Sequence, residues 1–108
     1  MKVYIILKKF QSWPSQIVYT TGIAKVFKTF IDTMDFLHEN EVTTSNFFDI
    51  ETLIIDNHLK EIYHVEYKNP NGYYNDPKVF SNKILAEKEV EHNFEKKKIC
   101  RIITHLIY

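Results

Sequence analysis

Hydrophobic and polar side chains alternate over residues 2–10, which predicts a β-strand with one apolar face. A second short β-rich run covers residues 16–20. The segment between them, residues 11–15, has turn composition and contains a proline, which ends the strand. The two runs therefore predict an antiparallel hairpin.

A helical period follows this hairpin. Apolar residues recur at intervals of three and four positions, at Ile23, Val26, Phe27, Phe30, Ile31, Met34 and Leu37. Thr20 or Thr21 is a suitable N-cap for such a helix. The spacing predicts one amphipathic helix whose apolar stripe packs on a sheet.

Two further strands are predicted in the middle of the chain, over residues 48–56 and 61–67. The turn-like segment between them makes this pair a second antiparallel hairpin. A cluster of breaker residues at 69–72 then predicts a long loop that carries Tyr73 and Tyr74.

Two N-caps compete for a second helix. Asp76 can cap it with Pro77 in the first helical position, or a short strand over residues 78–80 can lead to Ser81 as the cap. The β-prone residues of that strand, and the strand at the same place in the first half, favour Ser81. One face of this helix is lined by Ala86, Val90 and Phe94, and an alternating run from residue 99 closes the chain.

The order strand, strand, helix, strand thus occurs twice, over residues 1–57 and 58–108. Few residues are identical between the halves, so an ancient duplication and the recurrence of a common unit are both open. Two amphipathic helices need a shared apolar surface. We therefore expect a single α+β domain over residues 1–108, with a mostly antiparallel sheet and both helices on one face.

The composition allows a packed core and argues against strongly charged partners. Of the 108 residues 44% are hydrophobic, and 14 basic side chains balance 14 acidic ones. Arg101 is the sole arginine, whereas recognition of phosphate and guanine favours arginine, so we expect no nucleic-acid partner. No apolar stretch approaches the roughly 20 residues that cross a bilayer. Cys100 has no second cysteine to pair with, and we expect a cytoplasmic protein without membrane contact.

No catalytic or metal-binding motif is present in the sequence. The five histidines include no pair four residues apart that could share a metal ion on a helix. His64 and His105 are predicted on the outer faces of their strands, and Cys100 on a buried face where a thiol behaves as a small hydrophobe. We therefore expect no catalytic residue, metal site or cofactor. The groups that an enzyme would have to collect in one pocket are His64, Glu66, Asp32 and Asp35.

Aromatic side chains in the two predicted loops are the best candidates for binding a partner. Trp13 and the pair Tyr73 and Tyr74 fall at equivalent places in the two halves. Large, rigid aromatic side chains on loops are favoured anchors for a partner protein. The competing interpretation is that each packs over its own hairpin.

The first predicted helix carries its charges in an unfavourable order. Lys25 and Lys28 lie at its predicted start, while Asp32, Asp35 and Glu39 lie toward its end, which opposes the helix dipole at both ends. A solvated face explains the acids, yet such a local conflict also marks surfaces selected for binding. All five residues are therefore candidates for partner binding.

Residues 1–4 (MKVY) and 79–88 (VFSNKILAEK) resemble a pattern in small uncharacterised proteins of phages and other mobile elements. In those proteins a short hairpin feeds a helix that starts after a Phe-Ser pair. The resemblance carries no site residues. It implies a non-enzymatic modulator of host machinery, a class that includes inhibitors of defence systems such as CRISPR effectors.

The expected function is therefore a non-enzymatic protein-binding module, of phage or mobile-element origin, that inhibits a host or defence protein. The alternative is a protein that sequesters a small ligand or nucleotide in a pocket between the sheet and a loop, or across a dimer. A homodimer would form by edge-strand pairing if the final strand or residues 1–10 lie at a sheet edge.

Overall fold

The structure is a computed structural model that describes residues 1–40, 42–69, 72–96 and 99–108, with the side chains of residues 69 and 72–77 left aside. In chain order its elements are β1 (Lys2–Gln11), β2 (Val18–Phe27), α1 (Phe30–Glu39), β3 (Asn46–Ile54), β4 (Glu61–Asn69), β5 (Gly72–Phe80), α2 (Lys83–Glu95) and β6 (Cys100–Leu106).

The strands form two antiparallel sheets with the same topology. The first sheet has the order β2-β1-β3, and the second has the order β5-β4-β6. The predicted α+β class with mostly antiparallel strands is confirmed. The equal strand order in the two halves is what a ββαβ repeat predicts.

The main apolar core lies between the two sheets. It joins buried side chains of both halves, namely Val3, Ile5, Leu7, Ile23, Val26, Ile55, Ile62 and Ile107. Val3, Ile5 and Leu7 occupy alternate positions of β1 and therefore share one face of the first sheet. The two sheets thus pack face to face, and burial of these aliphatic side chains is the main stabilising contact between them.

Each helix covers the face of its own sheet that points away from this core. On the first sheet, the ring of Tyr4 lies 5.9 Å from that of Phe30 at the start of α1. On the second sheet, Ala86 of α2 packs in one cluster with Tyr63 and Val65 of β4. The layers are therefore helix, sheet, sheet, helix, whereas one sheet with both helices on one face was the simplest expectation. The difference arises because β4 is buried on both faces.

The two sheets are joined at one end by the C-terminal segment. Val26 and Ile107 form a parallel bridge, the amide of Tyr108 donates to the Val26 carbonyl at 2.9 Å, and the amide of Lys28 donates to the Tyr108 carbonyl at 2.8 Å. Farther from this end, the two sheets are still in contact, because Gly22 of β2 lies against the carboxylate of Glu66 on β4. The β1–β2 and β4–β5 hairpins therefore both extend away from the junction.

The first helix begins later than its periodicity predicts, because residues 18–27 are strand β2. The β1–β2 pairing shifts register twice, which leaves Ala24 and Thr21 as extra residues in β2. The bulge at Ala24 interrupts the alternation of the strand, so that Ile23 and Val26, three residues apart, both face the same core. A spacing of three residues is also typical of a helix face, which explains why the sequence predicted a helix here. The N-cap is Thr29, in place of Thr20 or Thr21.

Three expectations for the middle and second half were also wrong. Residues 48–56 and 61–67 do not form a hairpin, because β3 pairs with β1 and β4 starts the second sheet. The N-cap of α2 is Asn82, one residue after Ser81. Phe94 is 77% exposed, and Asn93 takes the buried position beside it.

The backbone of residues 72–80 is a complete strand, where a loop and only a short strand were expected. Neither α1 nor α2, the helices in the part of the chain that the structure describes, is long and apolar enough to cross a membrane.

Candidate functional site

The end of the first hairpin exposes a group of large apolar side chains. We call residues 10–18 the β1–β2 tip. The exposed fractions of its apolar side chains are 37% for Phe10, 55% for Trp13, 50% for Ile17 and 49% for Val18. Residues 10–18 include no charged side chain. The tip is therefore an uncharged hairpin end that exposes large apolar side chains on both of its faces, because Phe10 pairs in register with Tyr19 and Val18 with Gln11.

The tip has a defined backbone conformation. The amide of Ser12 donates to the Ile17 carbonyl at 2.9 Å, and the amide of Gln16 donates to the Ser12 carbonyl at 2.8 Å. The amide of Gln11 donates across to the Ser45 carbonyl at 2.8 Å, which fixes the tip to the start of β3. These hydrogen bonds order the backbone on both sides of Trp13 and so reduce the backbone entropy that the tip would lose on binding a partner.

Tyr73 and Tyr74 lie at the start of β5, where their backbones pair with Lys68 and Tyr67. Their side chains lie outside the described residues. Because both hairpins extend from the same junction, the backbone of this pair lies on the hairpin that accompanies the one bearing Trp13. The two aromatic segments, which are equivalent along the chain, therefore also lie on equivalent hairpins of the two sheets.

The charge order proposed for the first helix does not exist in the structure. Lys25 lies on β2, with Nζ 4.3 Å from the ring centroid of Tyr108, and Lys28 precedes the N-cap. Asp32 lies in the first turn of α1, where a carboxylate favours the helix dipole, and it accepts a hydrogen bond from Thr29 Oγ1 at 2.8 Å.

Asp35 and Glu39 are exposed on α1, away from its buried Thr33. The five charged candidates therefore do not share one helix face, and the dipole argument for selecting them is wrong.

A polar cluster lies between the two sheets. His64 is fully buried and Glu66 is 6% exposed, both on the β4 face that bears Ile62 of the core. The ring centroid of His105 lies 5.8 Å from that of His64, and Nε of Arg101 donates to Oε2 of Glu66 at 2.7 Å. The expectation that His64 and His105 point outward was wrong, because the sheet face opposite α2 is also covered.

The environment of His105 disfavours its charged form. Burial is the largest cause of the lowered pKa of His105, the Glu66 carboxylate opposes this change, and Lys8 adds to it. Its Nε2 is buried and has no hydrogen-bond partner among the described residues.

Glu89 of α2 organises a second polar cluster, on the outer side of the second sheet. It accepts hydrogen bonds from Tyr67 Oη at 2.7 Å, from Lys78 Nζ at 2.8 Å and from Asn93 Nδ2 at 3.1 Å. The hydrogen bond from Lys78 is the largest cause that lowers the pKa of Glu89 to about 2, followed by the one from Tyr67. This carboxylate attaches α2 to both β4 and β5.

The structure does not bring the acid–base candidates together. Asp32 and Asp35 are exposed on α1, whereas His64 and Glu66 lie between the sheets. Burial raises the pKa of Cys100, so its thiol is not activated as a nucleophile. Within the described residues, no group of three or more histidine, cysteine, aspartate or glutamate side chains could hold a metal ion.

The polar cluster and most of the tip were missed from the sequence. Phe10, Ile17 and Val18 have the pattern of ordinary strand residues, and nothing local distinguishes an exposed strand end from a covered one. The pairing of Glu66 with Arg101 depends on the β4–β6 register, which the turn signals do not encode.

No protein-family model, curated protein or solved structure matches this chain.

Proposed function

We propose that this chain is a protein-binding module without catalytic activity and that the β1–β2 tip docks on its partner. The observation that carries the proposal is the tip itself, where four large apolar side chains are exposed on a hydrogen-bonded hairpin end. Large apolar side chains exposed together at a hairpin end are suited to insertion into a partner, and tryptophan is a frequent anchor of binding energy.

The chemistry of the tip favours a protein over a nucleic acid. Binding to a phosphate backbone needs lysine or arginine at the contact, and residues 10–18 contain neither. The centre of a protein interface is depleted in charge and enriched in aromatic residues, which is the composition of this surface.

The finer proposal is that the partner is a host or defence protein, such as a CRISPR effector, and that the chain inhibits it. Its support is the resemblance of residues 1–4 and 79–88 to proteins of phages and mobile elements. A zero net charge fits a protein partner and does not imitate the charge of DNA.

The test is affinity capture with the tagged chain from a lysate of the host, comparing three variants. The tip variant combines Trp13→Ala with Ile17→Ser, and the matched control is Ile84→Ser, which changes a 60% exposed residue on α2. A third variant, Tyr73→Ala with Tyr74→Ala, asks whether the second hairpin contributes. We expect the tip variant to lose the captured protein and the control to retain it. Capture that survives the tip variant, with the fold intact, would contradict the proposal.

A second candidate function is sequestration of a small ligand or nucleotide. It is favoured by a cleft of about 340 Å³ between the turn that precedes β4 and the start of α2, which falls within the size range of small-molecule sites. Its lining includes His58, Tyr63 and Lys83. Native mass spectrometry of the purified chain distinguishes the two functions, because a retained ligand would add a discrete mass.

A homodimer through an edge strand stays a prediction. Residues 1–10 cannot supply that edge, because β1 is the central strand of the first sheet. Strand β6 is at an edge of the second sheet, although the residues that follow it bond to β2. Sedimentation at two protein concentrations would detect such a dimer.

A further inference from the structure

The outer edge of β3 is open. The first sheet has the order β2-β1-β3, so β3 pairs with β1 on one side, and no described strand pairs with it on the other. Its nine residues pair with residues 2–10 without a bulge, and they include no lysine or proline. Lysine, proline and bulges are common features by which edge strands avoid further pairing. Strand β3 therefore presents a long, regular edge to which another strand can be added.

The bonds between β1 and β3 show which backbone groups of β3 point outward. The amide of Ile55 donates to the Met1 carbonyl at 2.8 Å, and the amide of Gln11 donates to the Ser45 carbonyl at 2.8 Å. Because hydrogen-bonded pairs alternate in an antiparallel ladder, the odd-numbered residues of β3 bond to β1. The amides and carbonyls of the even-numbered residues therefore point to the open edge.

Most of these outward groups have no partner within the described part of the chain. No hydrogen bond from another described residue reaches the outward amides and carbonyls of Phe48, Thr52 and Ile54. The amide of Ile50 donates to Oδ1 of the preceding Asp49 at 2.9 Å, and rotation of this carboxylate would release it. An added strand would bond to these groups through its own main chain, as in peptide recognition by strand addition.

The side chains of β3 give the two sides of this edge different chemistry. On the face that also bears Leu53, Asp49 and Glu51 are exposed two residues apart. On the other face, Ile54 is 82% exposed and Ile50 is half-buried. Directly opposite side chains of neighbouring strands lie on the same face of a sheet. A strand added here would therefore place one of its faces beside two carboxylates and the other beside two isoleucines.

We propose that β3 binds an extended segment of another protein by strand addition, and that this segment carries lysine or arginine at two alternate positions on one face and apolar residues on the other. Main-chain hydrogen bonds supply affinity, and opposite charges in cross-strand pairs select the sequence and its register. The site is separate from the β1–β2 tip, so it adds a second binding surface to the one proposed above.

A second copy of this chain is a poor occupant of the same edge. The register that pairs β3 with itself over its full length is centred on Ile50, and it places each Asp49 opposite the Glu51 of the other copy. Like charges directly opposite each other destabilise a strand pair. The two acids therefore disfavour self-association at β3 and favour a basic segment.

The test uses a synthetic peptide with the nine-residue length of β3, in which valine and lysine alternate. Its termini are blocked and it carries a fluorescent label, so that fluorescence anisotropy measures its binding to the intact chain. A peptide with glutamate in place of lysine is the control. We expect the lysine peptide to bind and the glutamate peptide not to bind. Equal binding of the two peptides, or binding of neither, would overturn the proposal.

A charge reversal tests the two acids. Asp49→Lys combined with Glu51→Lys should weaken binding of the lysine peptide by at least about tenfold and allow the glutamate peptide to bind. The matched control, Glu87→Lys combined with Glu91→Lys, makes the same change in net charge at exposed positions of α2 and should change the affinity by less than about twofold. An equal loss in the control would mean attraction by net charge alone and would contradict the proposal.

A proline tests the main chain. Thr52→Pro removes an outward amide that an added strand needs, and it removes no hydrogen bond to β1. Thr52→Val keeps this amide and is the control. We expect the proline to abolish peptide binding and the valine to retain it, with circular dichroism showing that both chains fold. Retained binding by folded Thr52→Pro would overturn the proposal, and if that variant does not fold, the charge reversal decides alone.

The variant that combines Trp13→Ala with Ile17→Ser separates this site from the β1–β2 tip. It should bind the lysine peptide as tightly as the unaltered chain does, because the tip does not contribute to the edge of β3. Loss of peptide binding in this variant would locate the peptide at the tip and contradict the proposal.

Discussion

Replacing Glu89 by glutamine should weaken the attachment of α2 to the second sheet. The carboxylate accepts hydrogen bonds from Tyr67, Lys78 and Asn93, and glutamine keeps the shape of the side chain while removing its charge. The remaining amide oxygen can accept from one or two of these donors, and its NH₂ group then faces a donor. The substitution therefore tests the charge and leaves the packing of the helix nearly unaltered.

The expected cost is about 1–2 kcal/mol of unfolding free energy at neutral pH. A pKa of about 2 for Glu89, against an ordinary 4.5, would correspond to about 3 kcal/mol in a site without solvent. The side chain of Lys78 is 58% exposed, however, so water screens the strongest of the three contacts. We therefore take about half of that value.

The stabilising contribution of Glu89 should depend on pH. Because folding lowers the pKa of Glu89, its contribution is fully present above about pH 4.5 and is lost as the pH falls toward about 2. Urea unfolding of the unaltered chain and of Glu89→Gln should therefore differ at pH 7 and converge near pH 2. Glu87→Gln, at an exposed position of the same helix, is the matched control and should cost less than about 0.5 kcal/mol. Equal unfolding free energies for Glu89→Gln and the unaltered chain at pH 7, or a difference that persists at pH 2, would refute the reasoning.

Two further predictions concern the fold. Gly22→Ala should lower the unfolding free energy by about 1–2 kcal/mol, because residue 22 has a φ of 156°, which a side chain disfavours. Urea denaturation that shows no loss of stability would mean that the fold does not require this backbone conformation. Ile62→Ala should cost about 2–5 kcal/mol because Ile62 is fully buried in the core between the sheets, whereas Ile54→Ala, at an 82% exposed position, should change stability by less than about 0.5 kcal/mol. Similar costs at the two positions would argue against a shared inter-sheet core.

The order of strands and helices was largely readable from the chain, because alternation and helical period are local properties. The start of α1 was not, because the bulges at Ala24 and Thr21 move apolar residues of β2 to helical spacing. The division into two sheets was also missed. Tyr63 and Val65 lie on one face of β4 and Ile62 and His64 on the other, and all four side chains are buried. The sequence pattern therefore does not indicate which face packs on a helix and which packs on a second sheet.

The candidate surface was predictable only in part. Trp13 was identified because aromatic side chains on predicted loops are favoured anchors for a partner, and it is 55% exposed. Phe10 and Val18 are exposed at the same hairpin end, on its two opposite faces, and their exposure depends on where the first sheet stops being covered, which is a tertiary property. The buried His64 and the partly buried His105 were assigned to the wrong side for the same reason.

The measurement that tests the central claim most directly is site-specific photo-cross-linking from the β1–β2 tip. The photoreactive residue p-benzoylphenylalanine replaces Ser15, an exposed position of the tip, in one chain and Lys88, an exposed position on α2, in the control. After irradiation in host lysate, we expect the chain with the probe at position 15 to form a covalent adduct with one protein. Excess unaltered chain should suppress this adduct, and excess chain carrying Trp13→Ala and Ile17→Ser should not. No adduct from position 15, or the same adduct from position 88, would contradict the claim that the tip is the surface that binds a partner protein.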